Sequence, residues 1–224
     1  MKVSEIITAV RLCLDEEQTN FGDLQSEVTN NDTAFMDNII RAKIGDALTW
    51  VCKYAPANLL VSGTASADGI VASKDYTPVI KDGVGVISLE STPLRVVRVK
   101  GANWHRGVLE PFSEDSDEFA MMWDDLENGT NDLPRAGIAY SSPPTLYVQP
   151  ADGAVTVQTI SYPSATSTDD SSDVAIPEKC KTSFIYYIAY LVMVAYENQA
   201  KATMCYTVAI QNLTTQTTTS NDNG

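Results

Sequence analysis

Residues 176–213 read IPEKCKTSFIYYIAYLVMVAYENQAKATMCYTVAIQNL, and the reading of this stretch decides the fold. Pro177 suits the first turn of a helix, where its missing N–H would have found no intrahelical partner. Between Phe184 and Tyr196, apolar side chains cover more than half of the helical circumference. A helix apolar on so many sides must be enclosed by others, so one closing helix over 177–213 is expected at the centre of a small bundle. Its apolar part, 13 residues long, is too short to cross a bilayer. Tyr186, Tyr187, Tyr190 and Tyr196 do not share one side of it. Tyrosines at a core edge, with hydroxyls reaching water, would account for them. A helix covered by neighbouring subunits, where tyrosine is favoured, would do so as well.

A central helix needs neighbours, and residues 1–56 supply two. In SEIITAVRLCLDEE, Val3, Ile6, Ile7, Val10 and Leu14 fall on one helical face. Ser4 is the expected N-cap, with Glu5 at the positive end of the helix dipole. Asn20 and Gly22 mark a break. The next helix is expected to be capped by Asp32, to present Phe35, Ile39, Ile40, Ile44, Ala47, Leu48 and Val51 on one face, and to close at Pro56.

Between these helical ends the period changes. Residues 70–73, 77–80, 85–89, 94–101, 137–141, 145–150 and 154–163 are short β-branched or alternating runs separated by Gly, Pro, Asp and Ser. DGVGV at 82–86 is a turn before a strand, and Ala151-Asp152-Gly153 reads as a hairpin turn between the last two strands. Residues 164–173 form a polar linker. The expected fold class is therefore α+β: a small helical bundle of N- and C-terminal helices with an inserted antiparallel β-rich domain. The expected divisions are 1–56 for the N-terminal helices, 57–176 for the insertion, 177–213 for the closing helix and 214–224 for a disordered Thr-rich tail.

Composition argues against several functions. The net charge is −14, a poor basis for gripping phosphate backbones. The acid excess sits mainly in the middle, where Glu114, Asp115, Asp117 and Glu118 almost adjoin, as a solvated face or as a wall that repels DNA. With one histidine, His105, any Ser-His-Asp or Cys-His device has a single candidate base. Neither GxxxxGK[ST] nor GxGxxG occurs. SEDSDEF at 113–119 lacks the spacing and glycine of a calcium loop. A carboxylate pair drawn from Asp117, Glu118, Asp124 and Asp125 is cheap to find in so acidic a chain. Cys13, Cys52, Cys180 and Cys205 have no CxxC spacing and read as reduced core thiols of a cytoplasmic protein. Lys2, Ser4 and Glu5 open the chain unlike an export signal. No enzyme activity, cofactor, metal site or membrane span is expected. Trp104, His105, Arg106, Phe119, Met122 and Trp123, with Tyr186, Tyr187 and Tyr190, are the candidate interface residues, because apolar anchors ringed by charge mark docking surfaces.

The order of these features resembles the head–tail connector (adaptor) proteins of tailed phages, including the tail tubular protein A-like group of short-tailed phages. MKVSEIITAVRLCLDEE is similar to that family's first helix. STPLRVVRVKGANWHRGVLEPFSEDSDEFAMMW (91–123) resembles its middle block, and Pro134-Arg135 with LYVQPADGAVTVQTISYP (146–163) its later strands. IPEKCKTSFIYYIAYLVMVAYE (176–197) is similar to its closing helix, with Thr182-Ser183-Phe184 where charged residues often stand. The resemblance implies a virion protein assembled in the host cytoplasm. It implies a homo-oligomeric ring, commonly a dodecamer, between portal and tail proteins, with DNA passing through its lumen without sequence-specific binding. The alternative is a monomeric β-rich ligand- or receptor-binding module that uses the surface near Trp104 and Trp123.

Overall fold

The computed structural model describes residues 1–14, 30–61, 70–124, 128–162 and 169–218, with side chains from 35 and up to 214 in the two outer helices. The expected break at Asn20 and Gly22, Asp125, residues 164–168 of the linker and residues 219–224 lie outside the described residues.

The first helix, α1 (Val3–Cys13), buries Val3, Ile6, Ile7 and Val10, and Leu14 follows them into the core. Its cap is Lys2, whose backbone N–H donates to Glu5 Oε2 at 2.9 Å. Ser4, the expected cap, sits inside the first turn. Helix α2 (Asn30–Tyr54) likewise starts two residues ahead of Asp32, which lies in its first turn. Its buried face runs Met36, Ile40, Ile44, Ala47, Leu48 and Val51. Phe35 was expected on that face but is 61% exposed, and Met36 is buried in its stead. Arg11 Nη2 meets Asp37 Oδ1 at 2.7 Å and ties α1 to α2. A short α3 (Ala57–Leu60) follows Pro56.

The closing segment is not one helix. After a 3₁₀ turn at Glu178–Cys180, α5 (Lys181–Ala195) ends and the chain turns back as α6 (Gln199–Thr218). Asn198 N donates to Met193 O at 3.0 Å and Glu197 N to Val194 O at 3.0 Å, with Glu197 in the left-handed region at φ 57°. That is a Schellman stop, built on glutamate where glycine is usual. Asn198 then caps α6, its Oδ1 accepting from Lys201 N at 3.2 Å. Helix α5 packs against α1, α2 and α6. It buries Phe184, Ile185, Ile188, Ala189, Val192 and Met193, each worth roughly 1.5–3 kcal/mol for a large aliphatic or aromatic side chain. Helix α6 answers with a narrow stripe, Ala202, Cys205, Ala209 and Leu213, whose mostly small side chains let the two helices approach closely. Its backbone continues to Thr218, past the Leu213 at which the helix was expected to end. No proline or glycine interrupts it, and Thr214 Oγ1 donates to Gln211 O at 3.0 Å.

The described residues of the β unit form nine strands: β1 (Val71–Tyr76), β2 (Val79–Lys81), β3 (Val84–Ser88), β4 (Arg95–Gly101), β5 (Val108–Leu109), β6 (Phe112–Ser113), β7 (Arg135–Ala139), β8 (Thr145–Gln149) and β9 (Val155–Ile160). One sheet runs β1-β9-β4-β5 and the other β2-β3-β8-β7-β6. All pairings are antiparallel except β6 with β7. Ile87, Leu89, Ala136, Ile138, Leu146 and Val148 from the second sheet meet Val96, Val99, Val155 and Val157 from the first in one core. Ala151-Asp152-Gly153 therefore does not close a hairpin. It carries the chain from β8 in one sheet to β9 in the other, where β9 lies between β1 and β4 and completes their hydrogen bonding. The turn expected over 82–86 is shorter: Asp82 (φ 50°) and Gly83 (φ 79°) make a two-residue type I′ loop joining β2 and β3, and Val84–Val86 already belong to β3.

The chain divides into two compact units, Met1–Leu59 with Pro163–Gly224, and Leu60–Tyr162. The fold is α+β, with N- and C-terminal helices packed together and the sheets in the middle of the chain.

Candidate assembly surfaces

Trp104 follows the Ala102-Asn103 turn after β4; it is only 2% exposed and belongs to the sandwich core. Its indole N–H donates to Pro150 O at 3.0 Å, so the ring is enclosed and its polar atom satisfied. A Cβ on Gly101 would stand 2.5 Å from Trp104 Nε1, so glycine there makes room for the ring. Trp104 was expected at an interface, but its side chain is consumed inside the fold. His105 and Arg106 are exposed. His105 N donates to Asn131 O at 2.9 Å and its Nδ1 pairs with Asp132 Oδ1, which ties the two loops together.

The acidic stretch ends in a helical turn, α4 (Asp117–Ala120), capped by Ser116 Oγ, which accepts from Phe119 N at 3.2 Å. Glu114, Asp115, Asp117 and Glu118 all face solvent. Among the described residues no group of three or more His, Cys, Asp or Glu could hold a metal ion. Phe119 lies over Gly137 of β7, where a Cβ would meet its ring at 2.4 Å. Phe119, Trp123 and Tyr147 of β8 form an aromatic triangle with centroids 4.9–5.4 Å apart. Trp123 stays 45% exposed, whereas Met122 is fully buried and drops out as a surface residue. Gln149 fixes this segment from below: its Nε2 donates to Met122 O at 2.8 Å, and its Oε1 accepts from Gly129 N at 3.3 Å.

Tyr187 and Tyr190 lie together in the helical unit, joined by partners the sequence reading missed. Trp50 of α2 stacks on Tyr187 with centroids 4.1 Å apart and planes 7° from parallel. Tyr206 of α6 sits 5.0 Å from Tyr190, and Tyr54 flanks Trp50 at 6.1 Å. With Ile210 and Leu213 these rings line an open groove of about 490 Å³. Tyr186, half-buried, is not among its lining residues. Burial, and then the neighbouring Tyr190, Tyr206, Tyr54 and Asp46, push the Tyr187 phenol above its ordinary value, so it stays neutral near neutral pH. The fourfold spacing from Trp50 to Tyr54 was legible in the sequence. Their meeting with α5 and α6 was not.

One further surface escaped the sequence reading. On β2, at the edge of its sheet, Val79 is 71% and Ile80 66% exposed.

Among the described residues no helix is long and apolar enough to cross a membrane. Large apolar groups face solvent on both units, among them Phe35, Val79, Ile80 and Trp123. A protein-family model described as SU10 adaptor protein matches residues 1–223, and the chain belongs to that family of phage head–tail adaptors. It is a non-enzymatic structural protein of the virion that interacts with other virion proteins. No curated protein matches the chain.

Proposed function

We propose that the chain forms a homo-oligomeric ring, a dodecamer by the resemblance given above, placed between portal and tail, with DNA passing through its lumen. The observation that carries this reading is the family match over residues 1–223, in a chain whose aromatic and aliphatic groups stay exposed on both units. The net charge of −14 and the exposed acids at 114–118 suit a channel wall that repels DNA and makes no sequence-specific contact. Assembly in the host cytoplasm fits four free cysteines, three of them buried. Burial, then Cys13, raises the Cys205 thiol, keeping it protonated and unreactive. The monomeric binding module would rest on Trp123, which is 45% exposed, because Trp104 is enclosed and cannot offer a ligand surface.

The test is the mass of the purified chain, alone and mixed with its portal partner. A discrete large ring in either condition is expected. A strict monomer in both would overturn the ring.

A further inference from the structure

A chain of net charge −14 repels its own copies, so copies can touch closely only where charge is absent or opposed. Two uncharged apolar features of the described residues fit that requirement, one concave and one convex. The concave one is the groove between α2, α5 and α6, whose lining contains no charged side chain. Its stacked and tilted rings offer flat apolar faces, with phenolic hydroxyls available at the edges.

The convex one is Thr77-Pro78-Val79-Ile80, the approach to and start of β2. Adjacent residues of a strand point to opposite faces, so exposed Val79 and Ile80 leave aliphatic surface on both sides of this edge. The edge is also pre-formed. The Asp82-Gly83 loop pins it to β3, and Pro78 packs over Gly85, where an added Cβ would lie 2.9 Å from Pro78 Cβ. A rigid apolar edge loses little conformational freedom on docking.

The charges beside the two features are complementary. Lys81 and Asp82 follow Ile80 directly. Beside the groove, Asp46 is close enough to act on Tyr187 and, 68% exposed, also meets Lys43 Nζ at 3.9 Å, and Lys53 Nζ stands 5.4 Å from the centre of the Tyr54 ring. An acid and a base thus flank each feature.

We propose that the Pro78–Ile80 edge of one copy docks in the aromatic groove of the next, with Lys81 brought to Asp46 and Asp82 to Lys53. This rests on the ring reading and gives the ring its subunit contact. The contact joins two different patches, so it propagates head to tail instead of stopping at a two-fold dimer, and it gives a ring where the rotation between copies closes.

The experiment introduces Ile80→Cys and Ile210→Cys into the full chain, together and singly. Both residues are partly exposed, at 66% and 38%, so neither change threatens the fold. After mild oxidation, non-reducing electrophoresis and the solution mass are read. A ladder of covalent oligomers from the double variant, with none from either single variant, is expected. Ile80→Asp should weaken self-association tenfold or more without altering the melting profile. Rings of normal mass that give no ladder, or that tolerate Ile80→Asp, overturn this contact and leave the ring standing. Dimers from Ile80→Cys alone also overturn it, because they report edge-to-edge strand pairing. A chain that stays monomeric with and without its portal partner overturns contact and ring together.

Discussion

The two units treat their aromatic residues in opposite ways. In the β unit, Trp104 is sealed between the sheets and its indole N–H is bound by Pro150 O. In the helical unit, Tyr187, Tyr190 and Tyr206 remain partly exposed around an open groove. Both regions gather large rings, so ring size does not decide which side of the surface they occupy. The polar atom decides. Trp104 finds a carbonyl inside the fold, whereas tyrosine hydroxyls at a core edge are served by water or by a partner.

The comparison breaks most severely at Trp104. Trp104→Ala is expected to cost about 3–5 kcal/mol in chemical denaturation, because no neighbour fills the space over Gly101. A loss no larger than that of an exposed residue would mean the ring is not the core element described here. The next effect sharpens the β side. Gln149→Leu leaves Met122 O and Gly129 N without their partner and should lower stability by about 1–3 kcal/mol. Near-ultraviolet circular dichroism should follow the loosening of Trp123.

On the helical side the effects are smaller. Asn198→Ala removes the α6 cap and should cost about 1 kcal/mol. Glu197→Gly should act the other way by up to about 1 kcal/mol, since glycine accepts a φ of 57° without strain. Thermal melts of the two variants should move in opposite directions. The smallest effect is that of pH. Tyr187 is raised in the folded state, chiefly by burial, so its contribution is fully present below the ordinary tyrosine value. It is lost as pH rises through that value towards the folded one. Stability should therefore be flat in this respect near neutrality and fall in strong alkali. In ultraviolet titration the phenols of Tyr187 and of Tyr140, also raised by burial, should ionise after the exposed ones, and Tyr187→Phe should remove one of these late steps.

Local periodicity was readable. The α1 stripe of Val3, Ile6, Ile7, Val10 and Leu14 is the buried one, and a turn does open the glycine-rich string at 82–86, though only Asp82 and Gly83 form it. The closing helix was misread because its stop uses Glu197, a residue that seldom adopts a left-handed conformation. The 151–153 turn was misread because turn chemistry reports a change of direction and not which sheet receives the next strand. Strands β5 and β6, two residues each, carry too short a pattern to register. Of the candidate interface residues, Tyr187 and Tyr190 come together in the groove, while Trp104 and Met122 lie inside.

By itself, then, the sequence determined the α+β division, the buried face of α1 and the acidic, histidine-poor composition. These follow from periods of 3.6 and 2 and from counts, which need no long-range information. Only the tertiary structure decided that Trp50 stacks on Tyr187, that α6 folds back along α5 and that β9 joins β1 to β4. The first and third unite residues far apart in the chain, and the second hangs on a left-handed Glu197 that no period marks, so which surfaces meet depends on packing that no local pattern records.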